Sequence, residues 1–256
     1  DLIGVFQNGV QLTRMQVLKN SVTNMLDKYL EVGQTKVMIV EFYEGAQQLG
    51  SGWMSVEDAK KIINGLADDI YGQTNYQAAL NQAMTSWGAN QSGKLSGAGI
   101  ENVAYFFTDG VPFISGTTMS PYVLPAQQAK WEEFLKTNNM NSYGIGLGHS
   151  VSETNINPVS FDPSNPTAPA NHNTIIVKDV NALEAEIQKT IPQPVVDNVV
   201  SGGTLGADKE GANLSSLKVG GKTYVFDAEN HTVQSPDGGV FHYDAVKGAV
   251  TIEGLH

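Results

Sequence analysis

The sequence predicts an α/β fold, a doubly wound and mostly parallel sheet followed by a small C-terminal β-rich module. Three observations carry that prediction. Strand-like runs alternate with helix-like segments over roughly the first 190 residues. One run, Asn102-Val103-Ala104-Tyr105-Phe106-Phe107-Thr108, is apolar at nearly every position, the pattern of a strand covered on both faces. At Ile191-Pro192-Gln193-Pro194 the character changes to short strands and Gly turns. That change divides the chain into residues 1–193 and 194–256.

Taken in order, Met15, Leu18, Val22, Met25 and Tyr29 step by three and four, which places them on one helical face. Lys36 to Tyr43 is a β-rich run that stops at Glu44-Gly45. Ser55 precedes Val56-Glu57-Asp58-Ala59-Lys60 as an N-cap with acids in the first turn, and Ile62, Ile63 and Leu66 supply the apolar side. The next helix turns Tyr76, Leu80, Ala83, Met84 and Trp87 inward. After the Asn102–Thr108 strand, Ala126 to Lys136 reads as helix, Ser142 to Leu147 and Thr174 to Val177 as strands, and Asp179 to Ile191 as a closing helix. The prolines, Asn and Ser between Val151 and Asn173 predict a long exposed loop. In the tail, Ser216-Leu217-Lys218-Val219, Gly220-Gly221 and Lys222 to Phe226 predict a hairpin with a two-residue turn. Tyr224-Val225-Phe226-Asp227-Ala228 recurs as Phe241-His242-Tyr243-Asp244-Ala245, so two hairpin units are expected.

Composition removes several function classes. With 15 Lys and Arg against 26 Asp and Glu, the net charge is −11. Nothing offers the basic stripe that counterion release from a nucleic acid requires. No apolar run reaches the roughly 20 residues of a membrane-spanning helix. The absence of Cys excludes disulfides, thiolate metal sites and a Cys nucleophile. The chain opens on Asp1 and not Met, which predicts a segment of something longer.

Three motifs read as structural. Gly88 to Leu95 approaches a phosphate-binding loop, but Leu95 stands where the Mg²⁺-holding hydroxyl belongs and a helix, not a strand, precedes it; it reads as a flexible loop. Gly144, Gly146 and Gly148 lack the spacing and following helix of a dinucleotide site and read as tight packing at a strand end. The His residues are scattered, with His149 and His172 flanking the Pro-rich loop. What remains is oxygen chemistry at the carboxyl ends of the strands, where open α/β sheets place their ligand sites. Asp109 follows the Asn102–Thr108 strand, Thr74 opens a helix, and Asp1 precedes the first helix. Two carboxylates and a hydroxyl suit Mg²⁺, Mn²⁺ or Ca²⁺. On spacing alone, Asp109 reads equally as a turn residue and Thr74 as a helix cap.

Gly72-Gln73-Thr74-Asn75-Tyr76-Gln77-Ala78-Ala79-Leu80, taken with Phe106-Phe107-Thr108-Asp109-Gly110-Val111-Pro112, resembles the von Willebrand factor type A family. The two stretches match the second and third loops of that family's metal-ion-dependent adhesion site. Leu12 to Val17, Gly52 to Ala59, Ser142 to Gly148 and the tail around Leu217 to Tyr224 are similar to the version in bacterial RTX long adhesins. The resemblance implies a Rossmann-like von Willebrand A fold with a central strand before Asp1. It also implies metal ligation by Asp1, Thr74 and Asp109, with Asp109 acting directly or through water. One departure stands out: the family's Asp-x-Ser-Gly-Ser loop is Asp1-Leu2-Ile3-Gly4-Val5 here, so Ile3 and Val5 replace two ligating hydroxyls.

Two functions follow. The first is a non-enzymatic binding module of a secreted bacterial surface adhesin, with a divalent cation accepting an acidic group of an extracellular protein or glycan. The second is a structural spacer or docking domain whose metal site has degenerated. An enzyme would need a general base and phosphate-binding groups that the motifs do not supply. An acidic, Cys-free chain can cross a secretion channel unfolded and fold outside. The resemblance implies type I secretion, outer-membrane anchoring beside neighbouring adhesin domains, and roles in attachment and biofilm formation, with a monomer as the default.

Overall fold

The computed structural model describes residues 5–7, 10–68, 72–97, 100–116, 121–165 and 173–192, together with short strands between residues 195 and 252. The chain forms two compact units, Asp1–Asp27 with Thr35–Ile191, and Lys28–Gln34 with Pro192–His256. In the larger unit an antiparallel hairpin, β1 (Val5–Gln7) and β2 (Val10–Leu12), leads into α1 (Arg14–Val32). Val5 therefore opens a strand where the sequence suggested a loop.

Helix α1 buries Val17, Ser21, Met25 and Leu26, while Met15, Leu18 and Val22 stay half-buried. The apolar periodicity misplaced the inward face because polar pairing helps to set it. Lys19 is buried and its ammonium reaches the Leu66 carbonyl and, at 2.6 Å, the Asp68 carboxylate. Gln16 Nε2 donates to the other Asp68 oxygen at 2.8 Å. The two polar side chains tie α1 to the segment around Leu66, and the carboxylate is held below its usual pKa by the hydrogen bonds from Lys19 and Gln16.

Strand β3 (Val37–Phe42) falls where the apolar run predicts it, and β4 (Ala46–Met54) returns antiparallel to it. Strand β4 is not legible in the sequence, because Ala-Gln-Gln-Leu-Gly-Ser-Gly-Trp-Met carries no alternation of apolar and polar residues. Helix α2 (Val56–Gly65) starts as expected, with the Asp58 amide donating to Ser55 Oγ at 3.1 Å. Helix α3 (Tyr76–Ala89), β5 (Asn102–Thr108), α4 (Pro125–Thr137) and β6 (Met140–Leu147) follow. Next come a one-turn helix α5 (Glu153–Ile156), β7 (Thr174–Val177) and a helical stretch that begins as expected at Asp179, as a 3-10 turn (Val180–Ala182) running into α6 (Leu183–Gln188), and stops short of the expected Ile191. The expected exposed loop from Val151 is in part core: Val151, Ile156, Val159 and Phe161 are buried, and Ser142 and Phe161 exchange backbone hydrogen bonds of 2.9 and 2.8 Å. Its apolar residues are too irregularly spaced among prolines to show a period. Pro166 to His172 lie outside the described residues.

Strands β5, β6 and β7 are parallel, with Phe106 opposite Gly144 and Gly144 opposite Thr174. Alternate residues point to opposite faces. On one face Ala104, Phe106 and Ile176 pack with Tyr76, Leu80 and Trp87 of α3 and with Trp131 and Leu135 of α4. On the other, Tyr105 stacks on Phe107 and Tyr143, and its hydroxyl lies 2.6 Å from Thr190 Oγ1, just beyond α6. Apolar side chains on both faces are what a doubly wound sheet requires. The two parts of the sheet, β3–β4 and β5–β6–β7, share no ladder among the described residues. Side chains join them instead, with Phe42 stacked on Phe106 at 4.9 Å. That explains why β3 is half-buried throughout and β5 over its first four residues, despite their apolar sequences. No helix among the described residues is long and apolar enough to cross a membrane.

The smaller unit contains β8 (Val195–Asp197), β9 (Ser216–Val219), β10 (Lys222–Asp227), β11 (Thr232–Gln234), β12 (Phe241–Asp244) and β13 (Ala249–Ile252). They form two antiparallel sheets, β11-β10-β9 and β12-β13-β8. Val219 pairs with Lys222, which gives the two-residue Gly220-Gly221 connection. The two repeat segments fall on β10 and β12, each hairpinned to the next strand.

Glycine packing in the larger unit yields a paired test. A Cβ at Gly144 would stand 2.5 Å from Ser160 Oγ and collide with the Ile156 methyl, whereas a Cβ at Gly88, in α3, meets nothing within 4 Å. Gly144→Ala should cost about 1–3 kcal/mol through overpacking. Gly88→Ala should be neutral or stabilise by up to about 1 kcal/mol through helix propensity. Urea unfolding should therefore show a lower midpoint for Gly144→Ala and an unchanged or higher one for Gly88→Ala.

Candidate functional site

The site starts where β5 ends. Thr108 closes the turn that follows: the Gly110 amide donates to Thr108 Oγ1 at 3.3 Å, and Thr108 Oγ1 donates to the Gly110 carbonyl at 3.1 Å. The same carbonyl accepts from Tyr76 Oη at 2.8 Å. Burial pushes the Tyr76 phenol up to about 12; the hydrogen bond with Thr108 works against this and the Asp109 charge adds to it. With the turn held by Thr108 and Tyr76, the Asp109 carboxylate is free of that duty and its side chain is 56% exposed. The turn-residue alternative for Asp109 does not hold.

Thr74 does not cap a helix either. The cap of α3 is Asn75, whose Oδ1 accepts from the Ala78 amide at 2.9 Å. Buried Asn75 also donates from its backbone to the Tyr43 carbonyl at 2.8 Å and from Nδ2 to the Glu44 carbonyl at 2.9 Å, which ties the start of α3 to the end of β3. Thr74 instead forms a two-bond bridge with Phe113, of 2.8 and 3.0 Å, and Gln73 Oε1 accepts from the Ser115 amide at 3.1 Å. The bridge lays the Thr74 hydroxyl over Gly110, 2.8 Å from the position a Cβ would take. Only glycine permits that approach, so Gly110 is what brings Thr74 beside Asp109. Asn75 was legible as a strong N-cap type next to an apolar helix face.

A further residue enters from α1. Arg14 Nη1 lies 3.6 Å from Asp109 Oδ2, and the Arg14 side chain is 18% exposed. Its guanidinium also rests on Gly148, at the end of β6, where the backbone has φ 84. Nothing local in the sequence marks Arg14, which lies far from both partners in the chain. Around the edge, Tyr43, Val111, Phe113, Tyr122 and Leu124 are exposed large apolar residues. Their loops are linked by the Asn75–Tyr43 and Thr74–Phe113 bonds and by the Gln77 amide donating to the Pro121 carbonyl at 3.4 Å.

Thr74 and Asp109, two of the three sequence-predicted ligands, thus share one edge; Asp1 and Ile3 lie outside the described residues. As a home for a divalent cation the edge fits poorly. Of the three nominated ligands, the described ones are one hydroxyl, Thr74, and one carboxylate, Asp109, and that carboxylate already faces a guanidinium. Ile3 and Val5 bring no side-chain oxygen from the first loop. No group of three or more acidic, His or Cys side chains that could hold a metal occurs among the described residues. Elsewhere, Gly88 to Leu95 is the end of α3 and a 3-10 turn, with Lys94 over the Trp87 ring at 4.3 Å. Gly146 packs against Val151, 2.7 Å from the site of a Cβ. His149 is exposed and His172 lies outside the described residues.

No protein-family model matches the chain, and no curated protein matches it. Among solved structures it is similar to proximal thread matrix protein 1 of the mussel byssus, at 18% identity and a TM-score of 0.53 over 72% of this chain and 44% of that one. A structure of the same mussel protein with a zinc-occupied MIDAS motif matches at 17% identity and a TM-score of 0.53, over 72% and 44%. A von Willebrand factor type A structure from Catenulispora acidiphila aligns at 16% identity and a TM-score of 0.48, over 69% and 37%. This chain spans less than half the length of each of those structures. The likeness is one of fold, and the fold is a von Willebrand A-like α/β fold.

Tyr76 gives this site a pH signature. Its phenol ionises at about 12 in the folded chain, against an ordinary value near 10 when unfolded. The folded state holds the proton more tightly, so the contribution is complete below about pH 10 and is lost as pH rises towards 12. Tyr76→Phe should lose about 1 kcal/mol at neutral pH, one hydrogen bond to Gly110. It should also flatten the fall in stability across that window, as denaturant midpoints measured from pH 9 to 12 would reveal.

Proposed function

We propose that this chain is a non-enzymatic binding module of a secreted, cell-surface bacterial adhesin, and that it engages its ligand through the edge carrying Thr74 and Asp109. Domains of this fold are usually binding modules and not enzymes, which supports the first half. The observation that carries the second is the ring of exposed apolar residues about that edge: Phe113 is 56% exposed although its backbone is fixed to Thr74 by two hydrogen bonds. An ordered, exposed aromatic beside a hydroxyl and a carboxylate is the composition of a protein-binding surface. The ligand class is an extracellular protein or glycan. Residues 1–193 form the binding domain and 194–256 a β-rich module joining neighbouring domains of a longer adhesin at the outer surface, in attachment and biofilm formation. Asp1, Thr74 and Asp109 are the oxygen ligands on which any Mg²⁺, Mn²⁺ or Ca²⁺ would draw.

A second reading is a spacer or docking domain whose cation site has degenerated. Ile3 and Val5, and the guanidinium beside Asp109, favour it. The two differ in whether the edge binds anything. Beads carrying the chain can be applied to arrays of immobilised extracellular proteins and glycans. Attachment that Phe113→Ala and Thr74→Ala each lower by about tenfold or more supports the binding module. Attachment indifferent to both substitutions, or none, supports the spacer.

A further inference from the structure

Arg14 lies across the tips of two neighbouring strands. One of its nitrogens is 3.6 Å from Asp109, beyond β5, and the guanidinium covers Gly148, beyond β6. At Gly148 a Cβ would stand 3.3 Å from Nη2, slightly tighter than side chains ordinarily pack, and φ 84 disfavours any L side chain there. The glycine leaves room for the guanidinium, whose side chain is only 18% exposed. A fixed positive charge therefore stands beside the Asp109 carboxylate. A divalent cation at Asp109 would be repelled by it, and Ile3 and Val5 offer no side-chain oxygens to offset that repulsion.

We infer that Arg14 is the built-in counter-charge of Asp109, taking the electrostatic part that zinc takes in the metal-occupied structure of this fold, and that the edge works without a divalent cation. The last clause rests on the proposed reading of the edge as a ligand surface; the charge pairing does not. Arg14 comes from the first turn of α1, so the same helix that follows the altered first loop supplies the replacement charge. Its planar, permanently charged fork suits a carboxylate partner, and the low exposure reduces the side-chain freedom that pairing would otherwise cost.

The test is thermal unfolding of the 256-residue chain in EDTA and in Mg²⁺, Mn²⁺ or Ca²⁺. In the wild type no cation should move Tm by more than about 1 °C. Arg14→Gln and Asp109→Asn should each lower Tm by about 2 °C, and the double variant should lose no more than either single change, the mark of a coupled charge pair. A wild-type rise that Asp109→Asn removes overturns the inference, and so do losses in the two single variants that simply add in the double variant. Should Arg14→Gln fail to fold, the loss of free Mn²⁺ signal by electron paramagnetic resonance decides on the wild type alone: Asp109-dependent binding overturns the pairing, and its absence supports it. Bead attachment in EDTA separates this from the broader reading. Attachment that persists without metal supports both, and attachment that requires a cation overturns the inference but keeps the ligand surface. No attachment in any buffer removes the ligand surface, and the cation titration still decides the charge pairing.

Discussion

The structure depends most on where Tyr76 sits. Its ring meets Phe106 of β5 at 4.8 Å and Phe42 of β3 at 6.3 Å, and those two rings stack on each other. The two parts of the sheet share no hydrogen-bonded ladder among the described residues, and this aromatic cluster is part of the side-chain packing that joins them. The Tyr76 hydroxyl then holds the Gly110 carbonyl, and through it the turn that presents Asp109. One fully buried side chain links the core to the site, and its polar end is satisfied in the process.

The site itself is assembled mainly by backbone. Thr74 bridges Phe113, Asn75 gathers Tyr43, Glu44 and Ala78, and Thr108 closes its own turn. Each of these uses the groups of short polar residues at strand ends and a helix start, where backbone donors and acceptors would otherwise go unpaired. The side chains with chemistry to offer, the Thr74 hydroxyl and the Asp109 carboxylate, are those left out of the scaffolding. Arg14 then sets the charge at that edge, and the exposed apolar residues set its surface.

Much of the fold was legible because its strongest elements are locally encoded. A seven-residue apolar run can only be a buried strand or helix segment, and its length and aromatic content select the strand at Asn102–Thr108. Ser55, with acids behind it, marks a helix start for reasons that hold in an isolated peptide. Strand β4 was not legible, because its pairing to β3 supplies what its composition does not. Nor was the buried stretch from Val151 to Phe161, whose apolar residues enter the core through packing with β6 and α4 and without a period of their own. The β-rich tail shows the opposite case, since Gly-Gly flanked by alternating residues fixes a hairpin locally.

By itself, then, the sequence determined the alternation of helix and strand, the strand that leads to Asp109, the helix that begins after Thr74 and the loss of two hydroxyls at Ile3 and Val5. These rest on periodicity, capping and residue chemistry, which act over a few neighbouring residues. The tertiary structure alone decided that Thr74 bridges Phe113, that Gly110 admits its hydroxyl and that Arg14 reaches Asp109 and Gly148. Those are contacts between residues distant along the chain. Their energies depend on the packing of whole elements, which no local pattern records.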